Sequence, residues 1–376
     1  YLILINHSKI SLIGFKNLIL GLSCKPLQLK KKKKKTMIPD EMPYDFTEVA
    51  GCKDISTSAA VADYVKLCQF PAQTNPKKFC GNPCLYKYQL NNLLNCRRDS
   101  KNYKILREWF DDPELKQKLW KHTIQRNRRK CEYPSPTDVY ECHRLNNGAI
   151  VTFKSSTAKY LYKKFEAKSV LDPTMGWGGR MLGATSLGIK YTGFDTNLNM
   201  KEGYENMIDD LDLENVKLFW ESSLNEDIIK TLDYDMVLTS PPYVNMELYQ
   251  HMTPWSTSEQ FYKEFLIPLM DLCMKYLKPG GHNCWNVSPK MYKDLTEKYG
   301  YPPCDSQEDL RQQLGKQYKT KSQDYTYIWV KLIPASPKEP NIKIINCENC
   351  KYDKCEFYNK SGNSWCPRCK GLNYHQ

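Results

Sequence analysis

Beyond Thr152 the chain repeats one rhythm: a short apolar run, then a longer stretch whose apolar residues recur three and four positions apart. The short runs are Ser169 to Asp172 (SVLD), Tyr191 to Asp195 (YTGFD), Val216 to Trp220 (VKLFW), Asp235 to Thr239 (DMVLT), Asn283 to Val287 and Tyr325 to Leu332, and each predicts a buried strand. The stretches between several of them predict amphipathic helices. Phe261, Phe265, Leu269, Leu272 and Tyr276 make one apolar stripe, broken only by Pro268. Strands alternating with helices imply an α/β fold with a mostly parallel, twisted sheet covered on both faces. Ligands of such sheets bind outside the carboxyl ends of the strands, so the residues after each strand are the ones to read for chemistry.

Upstream, from Pro39 to about Asn147, helical patches alternate with loops. In Tyr103 to Lys130 the residues Ile105, Leu106, Trp109, Phe110, Leu115, Leu119 and Ile124 keep near-helical spacing despite the break at Asp112-Pro113. This stretch ends in QRNRRK, Gln125 to Lys130, which reads either as a solvated helix end or as a grip on phosphates with Asn and Gln available for base edges. The first 36 residues differ in kind: an Ile/Leu-rich piece carrying Lys9 and Lys16, followed by the lysine run Lys30 to Lys35. Their apolar stretches fall short of the ~20 residues needed to span a bilayer, and the positive charge follows the apolar region instead of preceding it as in a signal peptide. The expected organisation is a disordered leader at 1–36, a mostly helical region with candidate DNA contact at 37–150, an α/β domain at 151–335 and a cysteine-rich module at 345–376.

Charge and cysteine content sharpen this picture. The net charge of +13 favours a polyanionic partner, although six of the charges are the lysine run, without which +7 remains. Sixteen cysteines without a secretory signal, several in Cys-x-x-Cys pairs, point to reduced thiols and zinc in an intracellular protein, cytoplasmic or nuclear. Cys347-x-x-Cys350 and Cys366-x-x-Cys369, fifteen residues apart, have the spacing of a tetrahedral four-thiolate Zn2+ site, whose metal supplies the folding energy that so short a module lacks. Lys351, Lys354, Arg368 and Lys370 around it fit a nucleic-acid grip or a purely structural clip. Cys80, Cys84, Cys96, Cys131, Cys142 and His143 match no metal spacing and read as buried thiols with a neighbouring histidine.

Three strand exits carry chemistry. The first strand runs into DPTMGWGGR, Asp172 to Arg180, whose glycines let backbone approach a ligand, and a helix starting near Arg180 offers free amides to a carboxylate or phosphate. The second ends in Asp195, twenty-three residues after Asp172, where an acidic side chain accepts hydrogen bonds from ribose hydroxyls. A nucleoside-containing cofactor follows. Met181 stands where a dinucleotide fingerprint has its third glycine, and no phosphate-binding loop of the G-x-x-x-x-G-K-[ST] type occurs. The fourth strand exits into Ser240, Pro241, Pro242 and Tyr243.

The order DPTMGWGGR, then TSPPY at Thr239 to Tyr243, then LKPGG at Leu277 to Gly281 resembles the exocyclic-amino methyltransferases of nucleic acids, over roughly Ser155 to Leu332. The resemblance implies a Rossmann-like methyltransferase domain, S-adenosylmethionine as cofactor and double-stranded DNA as partner. The methyl group would go to the exocyclic amine of a base flipped from the duplex. The serine is most similar to the N4-cytosine members; N6-adenine, an RNA base, a protein glutamine amide, or a catalytically inert zinc-bearing nucleic-acid binder remain open. The resemblance also implies roles. Asp172, Gly176 and Gly178 line the methionine part of the cofactor, with Thr174 and Trp177 on the same loop; Asp195 holds the ribose, and Glu221 and Ser222 of the ESS segment meet the adenine. Ser240, Pro241, Pro242 and Tyr243 are the candidate catalytic residues. The chain departs from the family at Thr174, where Phe is common, and at Gly179-Arg180, where a Thr follows the last glycine. C5-cytosine methylation needs a cysteine after the fourth strand, and neither Pro83-Cys84 nor Pro303-Cys304 stands there.

Overall fold

The computed structural model describes residues 38–72, 80–98, 102–127, 133–147, 150–243, 247–248, 255–309 and 325–334. The expectations for the leader, for Arg128 to Lys130 of the basic stretch, for Cys131 and for Cys347, Cys350, Cys366 and Cys369 lie outside these residues.

Seven strands form one sheet: β1 (Ser169–Asp172), β2 (Lys190–Phe194), β3 (Val216–Phe219), β4 (Met236–Thr239), β5 (His282–Val287), β6 (Ser306–Asp309) and β7 (Tyr325–Val330). Their spatial order is β3-β2-β1-β4-β5-β7-β6. The first five run parallel, and β7 lies antiparallel between β5 and β6. A mostly parallel sheet with flanking helices is the expected α/β architecture. The central strands β1 and β4 are buried at every position, and the apolar runs Val170-Leu171 and Met236 to Leu238 within them made them legible. The edge strand β6, SQED, has no apolar residue and is half exposed, so no periodicity announces it.

Side-chain alternation splits the core across the two faces of the sheet. Val170, Tyr191, Met236 and Leu238 join Leu161, Leu182 and Met207 in one cluster. Leu171, Phe194, Val237 and Trp285 join Leu269, Met270 and Cys273 in the other. The stripe interrupted by Pro268 stays helical: a π-helical segment, Phe261–Leu266, leads into the helix Ile267–Tyr276 and places Pro268 in its first turn, where a missing N–H costs least.

The N-terminal helices share the first cluster instead of folding apart from it. Leu67 of helix Thr57–Gln69 and Leu85 of helix Asn82–Asn95 are buried in it. Buried Lys159 donates to the carbonyls of Leu67 and Cys68 at 2.6 and 2.9 Å, satisfying the open end of the first of these helices. Helix Asn82–Asn95 rests on helix Lys201–Asp210 and its entry, where Gln89 donates to the Met200 carbonyl at 3.2 Å and Tyr88 to Asp210 at 3.0 Å. A separate cluster, with Leu106, Trp109, Leu119, Trp120 and Val139, holds helices Leu106–Asp111, Pro113–Asn127 and Pro136–Asn147 together.

Cys80, Cys84, Cys96 and Cys142 are buried free thiols, and His143 is buried beside the Lys104 carbonyl. Among the described residues no group of His, Cys, Asp and Glu is arranged to hold a metal, and no helix is long and apolar enough to cross a membrane.

The closeness of the two helices at Gly203 is testable. A Cβ there would sit 2.4 Å from the Tyr88 carbonyl oxygen and 2.7 Å from Gln89 Nε2. Gly203→Ala is therefore expected to destabilise by about 1–3 kcal/mol, despite alanine's better helix propensity. Thermal unfolding should show a midpoint lowered by roughly 2–8 °C; an unchanged or raised midpoint would contradict the shared packing.

Candidate active site at the sheet switch point

The chain leaves β1 in one direction for β2 and β3, and returns on the other side of β1 as β4 and β5. The strand order therefore reverses between β1 and β4, and an open α/β sheet has its crevice outside the carboxyl ends of the strands at that point. DPTMGWGGR follows β1 and SPPY follows β4, so the two segments singled out in the sequence flank one crevice. Asp195 and Glu221-Ser222 follow β2 and β3 along the same edge.

Asp172 is fully buried and accepts three bonds from side chains. Arg180 Nε donates to Oδ2 at 2.7 Å, the Tyr191 hydroxyl to Oδ2 at 2.7 Å, and the Thr239 hydroxyl to Oδ1 at 2.9 Å. Arg180 also donates to the Thr174 carbonyl. Burial disfavours the guanidinium's charge, but Asp172, by its charge and its hydrogen bond, outweighs that and holds its pKa above the ordinary value. Burial, then Asp172, pushes the Tyr191 hydroxyl well up, so it stays a neutral donor. Asp172 thus braces the glycine loop from beneath.

Above this pair, Thr174 links the two segments. Its hydroxyl lies 2.6 Å from the Thr239 hydroxyl and donates to the Ser240 carbonyl at 3.1 Å. Thr174 and Arg180 therefore each have a structural use: Thr174 ties the loop after β1 to the exit of β4, and Arg180 closes that loop on itself through Asp172 and the Thr174 carbonyl. Gly176 and Gly178 take left-handed φ of +55° and +91°, which only glycine adopts without strain. Tyr204 donates to the Gly176 carbonyl at 2.8 Å and meets Trp220 edge-on, while Trp177 is buried in the first core cluster. The helix after the loop, Gly179–Thr185, starts one residue before the expected position, and Arg180 points inward.

Asp195 closes the loop from β2. Its Oδ2 accepts from the Gly176 amide at 3.0 Å and its Oδ1 from the Asn197 amide at 2.9 Å, leaving lone pairs on each oxygen for hydroxyl donors. Burial raises its pKa to about 6, against the lowering by these two amides. Glu221 and Ser222 are exposed; Glu221 accepts from Asn225 at 2.8 Å and Ser222 from the Leu224 amide at 3.2 Å.

At the SPPY corner Pro241 is buried, Ser240, Pro242 and Tyr243 are partly exposed, and Tyr243 packs against the second core cluster. The Thr239 hydroxyl and the Ser240 carbonyl are engaged by Asp172 and Thr174. The Ser240 hydroxyl and the Pro241 carbonyl have no protein hydrogen-bond partner among the described residues. Sequence reading missed Tyr191, Thr239 and Tyr204 as members of this site, because a tyrosine inside a strand or an amphipathic helix carries no local sign that its hydroxyl reaches another segment.

No protein-family model matches the chain, and no curated protein does. Among solved structures the chain is similar to TrmN from Thermus thermophilus, at 14% identity and a TM-score of 0.36, over 48% of this chain and 49% of that one, about half its length. It is similar to an rRNA methylase from Streptococcus thermophilus, at 15% identity and a TM-score of 0.33, over 49% of this chain and 100% of that one. A third similarity is to precorrin-6y C5,15-methyltransferase from Geobacter metallireducens GS-15, at 14% identity and a TM-score of 0.33, over 47% of this chain and 90% of that one.

Two outcomes follow from the site's electrostatics. Arg180→Met leaves a buried carboxylate without its cation and is expected to remove about 3–5 kcal/mol of stability, most of it recovered in the double variant with Asp172→Asn; denaturant unfolding of the four proteins measures this. Asp195 has a folded pKa of about 6, above the ordinary ~3.9 of a free aspartate, so the fold binds its proton more tightly than the unfolded chain does. Its contribution is complete below about pH 4 and lost as pH rises through about 6. Relative to Asp195→Asn, the unmodified protein should therefore lose stability across that window and no further above about pH 7. A difference that is flat with pH would show that the carboxylate is not raised.

Proposed function

We propose that this chain is an S-adenosylmethionine-dependent methyltransferase acting on the exocyclic amine of a nucleic-acid base, with cytosine N4 in DNA as the reading the serine of SPPY favours. The observation that carries it is the division of labour at the β4 exit. Thr239 and the Ser240 carbonyl are engaged by Asp172 and Thr174, while the Ser240 hydroxyl and Pro241 carbonyl are left as acceptors on a braced backbone.

The residues present fit the cofactor. The positive-φ glycines keep side chains out of the crevice, Asp195 retains lone pairs for ribose hydroxyls, and Glu221 and Ser222 lie exposed farther along the same edge. When bound, the cofactor supplies an electrophilic sulfonium methyl. The protein's task is to prepare the amine, whose lone pair is conjugated into the ring. Ser240 Oγ and the Pro241 carbonyl accept its two N–H groups, drawing the nitrogen toward tetrahedral geometry and freeing its lone pair. Pro241 and Pro242 fix the backbone so that a carbonyl serves the site and not a ladder. Tyr243 supplies the ring on which a flipped base stacks, worth ~1–3 kcal/mol. Cysteine chemistry does not compete: Cys84 is fully buried on helix Asn82–Asn95, and burial raises its thiol to about 12. The thiolates Cys347, Cys350, Cys366 and Cys369 complete the proposal as a structural zinc module assisting nucleic-acid contact.

Incubation with labelled cofactor and unmethylated DNA, RNA or protein, followed by nucleoside and amino-acid analysis, tests the reading. N4-methylcytosine in DNA is the expected product, and Ser240→Ala should lower kcat by at least ~100-fold while leaving cofactor affinity within a few-fold. N6-methyladenine, a methylated RNA base or methylglutamine would reassign the substrate. Cofactor binding with no methylated product would leave a nucleic-acid binder in place of an enzyme.

A further inference from the structure

The segment beyond the SPPY corner is joined to the N-terminal region. Glu247–Leu248 forms a two-residue antiparallel ladder with Arg97–Arg98, in the register Arg97 opposite Leu248 and Arg98 opposite Glu247. Three residues separate Tyr243 from Glu247, so Glu247 lies within about 14 Å of Tyr243 by chain reach, and the ladder adds only ~5 Å to Arg98. The two arginines follow Cys96 at the end of helix Asn82–Asn95, which is anchored in the first core cluster through Cys84 and Leu85.

Their side chains differ. Arg97 is engaged: its guanidinium makes a two-pronged bond to Glu108 at 3.2 and 3.0 Å. Arg98 is only partly exposed, its Nε is buried without a hydrogen-bond partner, and no ion pair or hydrogen bond of its side chain occurs among the described residues. The Nε is closed to solvent, so an anion from outside meets this side chain through its Nη groups, which are not among the buried unpartnered atoms; a guanidinium without an anionic partner among the described residues is open to such a ligand. A guanidinium fork matches the paired oxygens of a phosphate better than any other common anion except a carboxylate. Of the two, the phosphate fits the placement, because a nucleotide whose base enters the crevice carries its backbone at the rim.

We propose that Arg98 contacts a phosphodiester of the target strand, flanking the nucleotide whose base enters the Ser240–Tyr243 corner. This rests on the nucleic-acid reading above and adds to it the residue that seats the strand. It also gives the N-terminal region a share in the site, since that region contributes the arginine and the β4 exit contributes the base pocket. The test separates a contact with an incoming phosphodiester from a role inside the ladder.

Full-length protein, Arg98→Gln, Arg98→Lys and Glu247→Gln are titrated with fluorescent single-stranded DNA, duplex DNA and RNA of one sequence at a series of salt concentrations. Arg98→Gln should weaken binding by about tenfold and reduce the slope of log K against log salt by about one, on the polynucleotide that is the substrate, with the thermal midpoint and cofactor affinity unchanged. Arg98→Lys should keep the slope and lose part of the affinity, and Glu247→Gln should leave the slope intact. The arm in which the Arg98→Gln loss appears distinguishes DNA from RNA. An unchanged slope in every arm, with a lowered midpoint in both Arg98→Gln and Glu247→Gln, would make Arg98 a brace of the ladder and overturn the proposal, as would absence of nucleic-acid binding by the unmodified protein. The two readings fail separately. Methylated product with an Arg98-independent slope removes this inference alone, and an Arg98-dependent slope without any methylated product removes methyl transfer alone.

Discussion

The buried pair of Asp172 and Arg180 is the interaction on which the rest of the site depends. A carboxylate at the end of the first strand, with no exposed surface, is tolerable only with a cation and hydrogen bonds around it. Arg180 supplies the cation from the first turn of the following helix, and Tyr191 and Thr239 supply hydroxyls from the strands on either side. Three segments distant in sequence are thereby fixed to one carboxylate. The loop between Asp172 and Arg180 has little freedom left, and Thr174 extends the order to the β4 exit by donating to the Ser240 carbonyl beside the Thr239 hydroxyl.

This arrangement gives the crevice two layers with different work. Beneath, charge and hydroxyls satisfy one another and keep water out. At the rim, Asp195, Ser240 and Pro241 keep acceptor capacity for incoming donors. Acceptors held on a braced backbone can reshape a bound group without moving themselves, which is what the proposed amine substrate requires. The N-terminal helices reinforce the same region: helix Asn82–Asn95 presses on helix Lys201–Asp210, whose Tyr204 holds the glycine loop, and then leads to the arginines beside the segment after SPPY.

Much of this was legible from local pattern. Apolar runs located six of the seven strands, because strands buried on both faces are mostly apolar. The polar edge strand SQED escaped, since its pairing rests on backbone bonds to β7 and not on its own side chains. Asp195, the glycines and SPPY stood out by residue type and position. Thr174 stood out as a loop residue and Arg180 only as a deviation, while the hydroxyls of Tyr191, Tyr204 and Thr239 carried no local sign of their partners, because a hydroxyl's partner is set by what lies across the sheet.

What the linear order of residues determined by itself is the alternation of strand and helix, hence the parallel sheet, and the kinds of group delivered at each strand exit: periodicity and residue chemistry are local properties. Only the tertiary structure decided that β4 lies against β1, that Asp172 serves the interior while Asp195 keeps acceptor capacity, and that the N-terminal helices share a core with the sheet. Those outcomes turn on burial and on contacts between residues far apart in the chain, where the energy of a charge or a hydroxyl depends on neighbours that no local stretch contains.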